Sequence, residues 1–264
     1  MYSYQHRYHA GNFADLHKHI ILLAILQFLQ QKETSFCILD AFAGEGIYDL
    51  HSKESQKNQE YLHGFGKIQQ ILNVPCLIQE LLKIAKKYQI DDQTFIYPGS
   101  PAIINANLRE QDQAIFIENH PQAYTQLKKH FGQQRQIHIH KRDAMEAINA
   151  LIPFKEKRGL IFIDPNYEVK EEYNTICSVV KIASLKFSQG IYVIWYPLLQ
   201  EDRHIELLAG LQNAFNNNIW KHEWIPVNHN MEGLYGSGIV IINPPWQFNM
   251  IVQESLQFLQ ENLH

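Results

Sequence analysis

The sequence predicts an α/β fold in which helices cover both faces of a doubly wound, mostly parallel sheet. Short apolar runs of strand length alternate with stretches of helical periodicity along most of the chain. Three of these runs end in an acidic residue, at Asp40, Glu118 and Asp164. Apolar strands that alternate with helices are typical of a parallel sheet buried on both faces, and acids at its strand ends indicate a ligand site.

Seven strands and five long helices are predicted. The strands fall at residues 36–40, 114–118, 137–140, 160–164, 191–195, 220–227 and 238–242. The helices fall at residues 14–31, 121–131, 171–187, 201–215 and 248–263. The strands are rich in β-branched and aromatic residues, whereas the helical stretches place apolar residues three and four positions apart. Pro121 is a favourable first residue for its helix.

One interval is too long for a simple nucleotide-binding unit. More than seventy residues separate the first glycine-rich turn, at 43–46, from Glu118. In a simple βαβ unit the corresponding acid follows about 20 residues after the turn. Residues 48–96 are therefore predicted to form a small helical insertion, with a clear helical pattern at 78–88. We interpret the 264 residues as one domain with an N-terminal arm at 1–19.

Composition limits the class of protein. Hydrophobic residues make up 45% of the chain, which is enough for one sizeable core. The net charge of −4 argues against a protein that coats nucleic acid, but it is compatible with an enzyme that has a local basic patch. The apolar run at 20–29 is too short to span a bilayer. Three isolated cysteines and no recognisable signal peptide predict a cytoplasmic protein.

The glycine-rich turn and two acids indicate a nucleotide-like cofactor. Residues 40–46, Asp-Ala-Phe-Ala-Gly-Glu-Gly, are looser than the pyrophosphate fingerprint, and this looser form is typical of methyltransferases. Glycine lets the backbone approach a ligand closely. Glu118 can accept hydrogen bonds from ribose hydroxyls, and Asp143 can accept one from the amine of an adenine. An ordinary βα turn and helix N-caps are the alternative roles of these residues.

The motif Asp164-Pro-Asn-Tyr167 is the most informative one. The exocyclic amine of adenine is a weak nucleophile because its lone pair is delocalised into the ring. The carboxylate of Asp164 and the carbonyl of Pro165 can accept its two hydrogens, and Tyr167 can stack on a flipped-out base. Residues 243–246, Asn-Pro-Pro-Trp, match a similar pattern. They follow a strand that is expected at the sheet edge, so Asp164 is the preferred acceptor.

The N-terminal arm is rich in side chains that suit RNA. Its nineteen residues include four histidines, three tyrosines, Arg7 and Lys18. Aromatic and basic side chains are suited to base stacking and phosphate contact. A metal site is not expected because cysteines and close acids at ligand spacing are missing. A surface arm that caps the first helix is the alternative interpretation.

Together these motifs resemble the RlmJ family of 23S ribosomal RNA adenine-N6 methyltransferases, which has also carried a label for the use of external DNA as a nutrient. The matching blocks span almost the whole chain in collinear order, and the N-terminal block occurs in few other families. The blocks lie at residues 4–19, 40–46, 97–101, 108–112, 158–161, 195–197 and 242–246.

The resemblance implies a Rossmann-like class I methyltransferase fold with S-adenosylmethionine as the methyl donor. It implies that the cofactor site is lined by His19, Phe42, Gly44, Ser100, Glu118, Asp143, Ala144 and Asp164. It implies that methyl transfer depends on Asp164, Pro165 and Tyr167, and that RNA contacts Tyr4, His6 and Lys18. The expected partner is 23S rRNA, either free of protein or early in assembly. A monomer without a metal ion or membrane anchor is expected.

Two positions depart from the family pattern. Asn166 replaces the second proline of the Asp-Pro-Pro-Tyr motif, so residue 165 loses the restriction that a following proline imposes. Asn166 also tolerates a left-handed backbone. Phe42 replaces a histidine beside the cofactor. Asn166 keeps open an alternative function, nucleic-acid binding by a protein with impaired catalysis. N6-adenine methylation of DNA is a second alternative, which the acidic composition disfavours but does not exclude.

Overall fold

A computed structural model describes residues 5–91, 93–216, 218–226 and 233–263. Its strands are β1 (Cys37–Asp40), β2 (Ile47–Asp49), β3 (Ile96–Pro98), β4 (Gln113–Ile117), β5 (Ile137–His140), β6 (Gly159–Ile163), β7 (Ile191–Leu198), β8 (Ile219–Trp224) and β9 (Gly236–Ile242). Its helices are α1 (Phe13–Gln30), α2 (Lys53–Asn58), α3 (Phe65–Ile68), α4 (Cys76–Tyr88), α5 (Ser100–Asn107), α6 (Pro121–Phe131), α7 (Ala144–Leu151), α8 (Glu172–Lys186), α9 (His204–Phe215) and α10 (Phe248–Asn262). Short 3₁₀ helices lie at His6–Tyr8 and Glu60–His63.

Seven of the described strands form one sheet in the order β5-β4-β1-β6-β7-β9-β8. Strands β1, β4, β5, β6 and β7 pair in parallel, whereas β9 is antiparallel to both β7 and β8. The predicted doubly wound, mostly parallel α/β sheet of seven strands is thus confirmed. Strand β1 is central, with β4 and β6 beside it, so the acids that follow these strands meet at one edge of the sheet.

Alternate residues of each strand face two different hydrophobic layers. Ile38 and Phe162 pack in the layer that contains α1, α4, α5, α6 and α10. Leu39 and Ile163 pack in the layer that contains α7, α8 and α9. Burial of one such side chain contributes about 1.5–3 kcal/mol. A strand covered on both faces must be apolar at every position, which explains the continuous apolar runs in the sequence.

Helix α1 is buried around its whole circumference over residues 14–26. Asn12 caps its first turn, since the side chain accepts the N–H of Asp15 at 3.0 Å. The apolar residues of the helix pack against the sheet and the insertion. The polar residues of its first two turns are buried as well, and buried polar groups need partners. Lys18 has a partner, Asp164, at the carboxyl edge of the sheet, whereas the Tyr97 hydroxyl near His19 belongs to β3 of the two-stranded sheet.

The segment between β2 and β3 is mainly helical. The two strands that flank it pair antiparallel. Helix α4 buries one face, formed by Leu77, Ile78, Leu81, Ile84 and Ala85. This face packs in the same hydrophobic layer as α1, α5 and α10. The sequence predicts only helices in this segment because a strand of three residues is too short to give an alternating pattern.

Strand β9 corrects one expectation. It lies between β7 and β8 rather than at the edge of the sheet, because β8 is added on its outer side. Since β9 runs antiparallel to β7, Asn243 follows it at the sheet edge opposite to Asp164. The Asn243 amide donates to the carbonyls of Ser188 and Gly190, both at 2.8 Å. The motif at 243–246 therefore lies away from Asp164, but for a different reason than the predicted one.

Asp112 gives a test of how the loop before β4 is held. It is fully buried and accepts hydrogen bonds from the backbone of Phe36 and from the Arg109 Nε, the latter at 2.8 Å. We expect Asp112→Ala to lower the free energy of unfolding by about 2–4 kcal/mol, less than for a wholly buried pair because Arg109 is near the surface. Denaturant titration measures this change. The exposed neighbour substitution Glu110→Ala should change stability by less than about 0.5 kcal/mol, and equal effects of the two would contradict the assignment.

Candidate active site

The carboxyl ends of β1, β4, β5 and β6, together with the start of α1, border a cleft of about 1120 Å³. Sites for one small ligand usually measure about 300–1,000 Å³, so the cleft has space for a cofactor and a second ligand. The predicted site residues within the described ranges all line it: His6, Lys18, His19, Phe42, Gly44, Ser100, Glu118, Asp143, Ala144, Asp164, Pro165 and Tyr167. Tyr4 lies outside the described residues.

The glycine-rich turn after β1 holds the carboxylate that follows β4. Gly44 has a φ of +62°, and its N–H donates to Glu118 Oε2 at 2.9 Å. A side chain at this position would collide with the Tyr48 hydroxyl. The His120 N–H donates to Glu118 Oε1 at 2.6 Å. A carboxylate has about four lone-pair positions, so Glu118 can still accept a hydrogen bond from a ligand hydroxyl in the cleft.

The other predicted cofactor residues surround this carboxylate. Asp143 N-caps α7 by accepting the N–H of Glu146 at 2.9 Å, so the alternative capping role applies to it. One carboxylate can cap a helix and accept a second donor, because it has about four lone-pair positions. Ser100 begins α5 at the cleft, and Phe42 contributes an apolar, half-buried wall.

Asp40 lies beneath the turn and is fully buried. Its Oδ1 accepts the N–H of Phe42 at 3.4 Å, whereas Oδ2 has no hydrogen-bond partner within the described part of the chain. Burial raises the pKa of Asp40 to about 7, and the nearby charges of Asp164 and Glu118 act in the same direction. Protonation of Asp40 therefore avoids a further negative charge beside Asp164 and Glu118 at this edge of the sheet.

Lys18 joins two carboxylates at the base of the cleft. Its Nζ lies 2.9 Å from Asp15 Oδ1 and 2.5 Å from Asp164 Oδ2. Lys18 and Asp15 are both buried, and Asp164 is half-buried. Sequence reasoning identified Lys18 and Asp164 separately but gave no indication that they contact each other. It missed Asp15, although an acid three residues before a lysine in a helix is a recognisable ion-pair spacing.

His6 and a backbone N–H complete the surroundings of Asp15. His6 Nε2 lies 3.0 Å from Asp15 Oδ2, and the Gly11 N–H donates to the same oxygen at 2.7 Å. Burial acts to raise the pKa of Asp15, but the charges of His6 and Lys18 outweigh it and hold this pKa well below its ordinary value. Asp15 is therefore ionised at neutral pH, and the predicted RNA residues His6 and Lys18 both contact it.

The loop after β6 places Tyr167 against β7. Tyr167 has a φ of +52°, its hydroxyl donates to the Trp195 carbonyl at 2.7 Å, and its ring lies 4.3 Å from that of Tyr173. The left-handed residue of the motif is thus Tyr167 and not Asn166, which is exposed. The tolerance of asparagine for left-handed backbone is not used at position 166.

A buried chain of hydrogen bonds holds Trp195, a cleft residue that sequence reasoning missed. The Trp195 Nε1–H donates to Ser237 Oγ at 2.9 Å, and Ser237 Oγ lies 2.8 Å from His17 Nδ1. His17 Nε2 lies 2.9 Å from His222 Nδ1. Burial lowers the pKa of His17 well below its ordinary value. The Lys18 Nζ lies 5.2 Å from the centre of the Trp195 ring, within cation–π range.

His19 and the N-terminal segment are tied to the insertion. His19 Nδ1 lies 2.6 Å from the Tyr97 hydroxyl, and burial lowers the pKa of His19 to about 3. Arg7 donates to Glu45 and Glu54, and Glu60 contacts both His9 and Asn12. These links join residues far apart in the sequence, so no local pattern predicts them. Within the described ranges, no cluster of three metal-ligating side chains and no membrane-spanning helix is found.

Comparison with known proteins agrees with this geometry. A family described as "Ribosomal RNA large subunit methyltransferase D, RlmJ" matches residues 33–264. Ribosomal RNA large subunit methyltransferase J of Haemophilus influenzae is 36% identical over 265 residues, covering 100% of this chain and 94% of that protein. The Escherichia coli protein of the same name is 33% identical with the same coverage. A crystal structure of a Legionella pneumophila protein has a TM-score of 0.89 at 36% identity and covers 97% of this chain and 94% of that one.

The fold and the cleft define a class I methyltransferase. Its marks are a strand reversed between β7 and β8, a glycine turn after β1, and an acid after β4. Within this class, the chain belongs to the RlmJ family of ribosomal RNA large subunit methyltransferases. The methyl donor is S-adenosylmethionine, and the cleft fits it: Glu118 offers a carboxylate for ribose hydroxyls, and the left-handed turn at Gly44 brings backbone to the cleft wall.

The raised pKa of Asp40 predicts a pH dependence of stability. Its pKa is about 7 in the folded protein and about 3.9 in an unfolded chain. Between these values the folded protein binds a proton that the unfolded chain does not, so ionisation of Asp40 lowers the free energy of unfolding as pH rises. We expect Asp40→Asn to gain stability relative to the wild type from about pH 4 to about pH 7, with no further gain well above pH 7. Denaturant titration without cofactor measures it, and a difference independent of pH would contradict the assignment.

Proposed function

We propose that the protein transfers a methyl group from S-adenosylmethionine to the N6 atom of one adenine in 23S rRNA, with the target base flipped into the cleft. The observation that carries this proposal is the position of Asp164. It stands at the carboxyl end of β6, beside the central strand that bears the cofactor turn. A carboxylate there can reach an amine placed next to the sulfonium methyl.

We assign the cofactor to the side of the cleft formed by the ends of β1, β4 and β5. Glu118 accepts the ribose hydroxyls, and Asp143 accepts the exocyclic amine of the cofactor's adenine. The backbone at Gly44, which lines the cleft in a left-handed turn, contacts the cofactor. The other residues that line this side of the cleft are His19, Phe42, Ser100, Ala144 and one edge of Asp164.

The target adenine occupies the other side of the cleft, next to Asp164 and Tyr167. Its amine donates one hydrogen to the Asp164 carboxylate and one to the Pro165 carbonyl, which favours the pyramidal geometry needed for attack on the methyl group. Lys18 contacts Asp164 Oδ2, so we assign the amine to Oδ1. The donor methyl is already activated, and Asp164 therefore acts as an acceptor and positioning group, with proton loss after transfer. Tyr167 faces the base with a ring that its hydroxyl contact to Trp195 holds in place.

The remaining assignments follow from the family and from the packing. The relatives are named as methyltransferases of large-subunit ribosomal RNA. We propose a cytoplasmic monomer that acts on 23S rRNA free of protein or early in assembly. We also propose one domain with an insertion at about 48–96, because α4 shares a hydrophobic layer with the sheet. The N-terminal arm, with Tyr4, His6 and Lys18, is assigned to the RNA side.

Removal of the Asp164 carboxylate tests the proposed chemistry. We expect Asp164→Ala to abolish transfer of labelled methyl to 23S rRNA, because the amine loses its acceptor. Cofactor affinity, measured by calorimetry, should stay within about tenfold, since Glu118 and the glycine turn are intact. The matched control is Asn243→Ala, which alters the similar motif at the opposite edge. Full activity of Asp164→Ala, or equal loss in both variants, would reject the assignment.

Restoration of the family proline tests whether this chain is a decayed enzyme. Asn166 is exposed and has no left-handed φ, and a proline there would restrict residue 165 to extended conformations. We expect Asn166→Pro to change kcat by less than about tenfold, because the hydrogen-bond acceptors of the motif are already in place. Initial-rate assays on the same RNA measure it. Activity that appears only in Asn166→Pro would instead support the nucleic-acid-binding alternative with impaired catalysis.

A further inference from the structure

One segment beside the cleft has the opposite charge to the rest of the chain. Residues 119–142, which contain α6 and β5, hold five of the 23 lysines and arginines and none of the 27 acidic residues. The other 18 basic residues are outnumbered by those 27 acids, so the remainder carries a formal charge of −9 against +5 in this segment. Four of the 14 histidines lie here as well.

This segment reaches the rim of the cleft at several points. His120 and Arg142, where the chain leaves β4 and β5, line the cleft. The Lys141 Nζ lies 6.0 Å from the centre of the Tyr124 ring on α6. At the end of α6, His130 Nδ1 lies 3.2 Å from the carbonyl oxygen of Glu45, another cleft residue. Lys128 and Lys129, adjacent in sequence to His130, and Lys141, adjacent to Arg142, therefore lie close to the site, whereas Arg135 precedes β5 at the opposite edge of the sheet.

Most of this charge is not neutralised by neighbouring acids. Arg142 pairs with Glu146 on α7. Four exposed basic residues form no ion pair with the described part of the chain: Lys128, Lys129, Arg135 and Lys141. Lysines in the last turn of a helix gain a little from the helix dipole, but Arg135 and Lys141 lie outside α6. The favourable position of lysines at a helix end therefore does not explain all four of these basic residues.

We propose that the basic rim, defined as Lys128, Lys129 and Lys141 with His120 and His130, binds the phosphate backbone of RNA that flanks the target nucleotide. The proposal rests on the proposed function, which requires one nucleotide to enter the cleft while the adjoining backbone crosses its border. A chain that is acidic elsewhere repels that backbone, whereas the basic rim attracts it. Lysine acts as a point charge, so the basic rim contributes affinity and orientation and not base specificity.

Charge reversal at the end of α6 tests this surface. The test variant is Lys128→Glu/Lys129→Glu, and the control is Lys155→Glu/Lys181→Glu, which reverses two exposed lysines in the loop before β6 and on α8. Methylation of a long 23S rRNA fragment should show a KM raised about tenfold or more in the test variant only. In a plot of log KM against log salt concentration, the slope should be smaller by about 1.4–1.8 in the test variant, which corresponds to the loss of two phosphate contacts. The kcat and the affinity for S-adenosylmethionine should not change.

A short RNA separates this surface from the site itself. On an oligonucleotide too short to reach the basic rim, the test variant and the wild type should have the same KM. Equal KM values for both reversal variants on long RNA, or a loss that is the same on short RNA, would overturn the proposal. If the test variant unfolds at lower temperature than the control, Lys128→Gln/Lys129→Gln replaces it, with about half the change in log KM expected.

Direct binding distinguishes failure of the basic rim from failure of the proposed function. Fluorescence anisotropy with a labelled RNA hairpin needs no methyl transfer, so it measures RNA binding by the basic rim even if the wild type is inactive. The expected result is the same tenfold loss of affinity in the test variant. Affinity for the RNA hairpin that matches the wild type, or a loss confined to a DNA hairpin of the same sequence, would contradict RNA binding by the basic rim.

Discussion

The ion pair of Lys18 with two carboxylates is the interaction on which the arrangement of the site depends. A buried carboxylate without a partner is costly, and here the buried Asp15 and the half-buried Asp164 share one ammonium group. Asp15 and Lys18 lie on α1, whereas Asp164 follows β6. The shared charge therefore connects the buried helix to the carboxyl edge of the sheet and orients the Asp164 carboxylate toward the cleft.

The rest of the site limits the negative charge that this one cation must balance. Gly11 and His6 satisfy Asp15 Oδ2, and burial favours the protonated form of Asp40 by raising its pKa to about 7. Glu118 is held by backbone N–H groups, including those of Gly44 and His120, instead of a cation. The net result is a cleft in which the ionised groups that face ligands are held by partners on rigid elements, as pre-organised chemistry requires.

The sequence could predict those parts of the molecule that have a local pattern. The apolar runs located β1, β4, β5 and β6 to within a residue, because strands buried on both faces must be apolar throughout. The glycine turn and the acids after the strands also predict where the cleft lies, because the carboxyl ends of neighbouring parallel strands meet at one edge of the sheet. Contacts between distant segments have no such pattern. The chain from His17 through Ser237 to Trp195, and the contact of Lys18 with Asp164, are therefore visible only in the folded protein.

A double-mutant cycle between Lys18 and Asp164 tests most directly whether their contact organises the site. The free energy of unfolding would be measured for Lys18→Met, for Asp164→Asn and for the double variant, all without cofactor. An ionic contact predicts that the single losses are not additive, with a coupling of at least about 1 kcal/mol, because both single variants remove the same contact. Additivity within about 0.3–0.5 kcal/mol would show that the two groups do not stabilise each other, and would contradict this account.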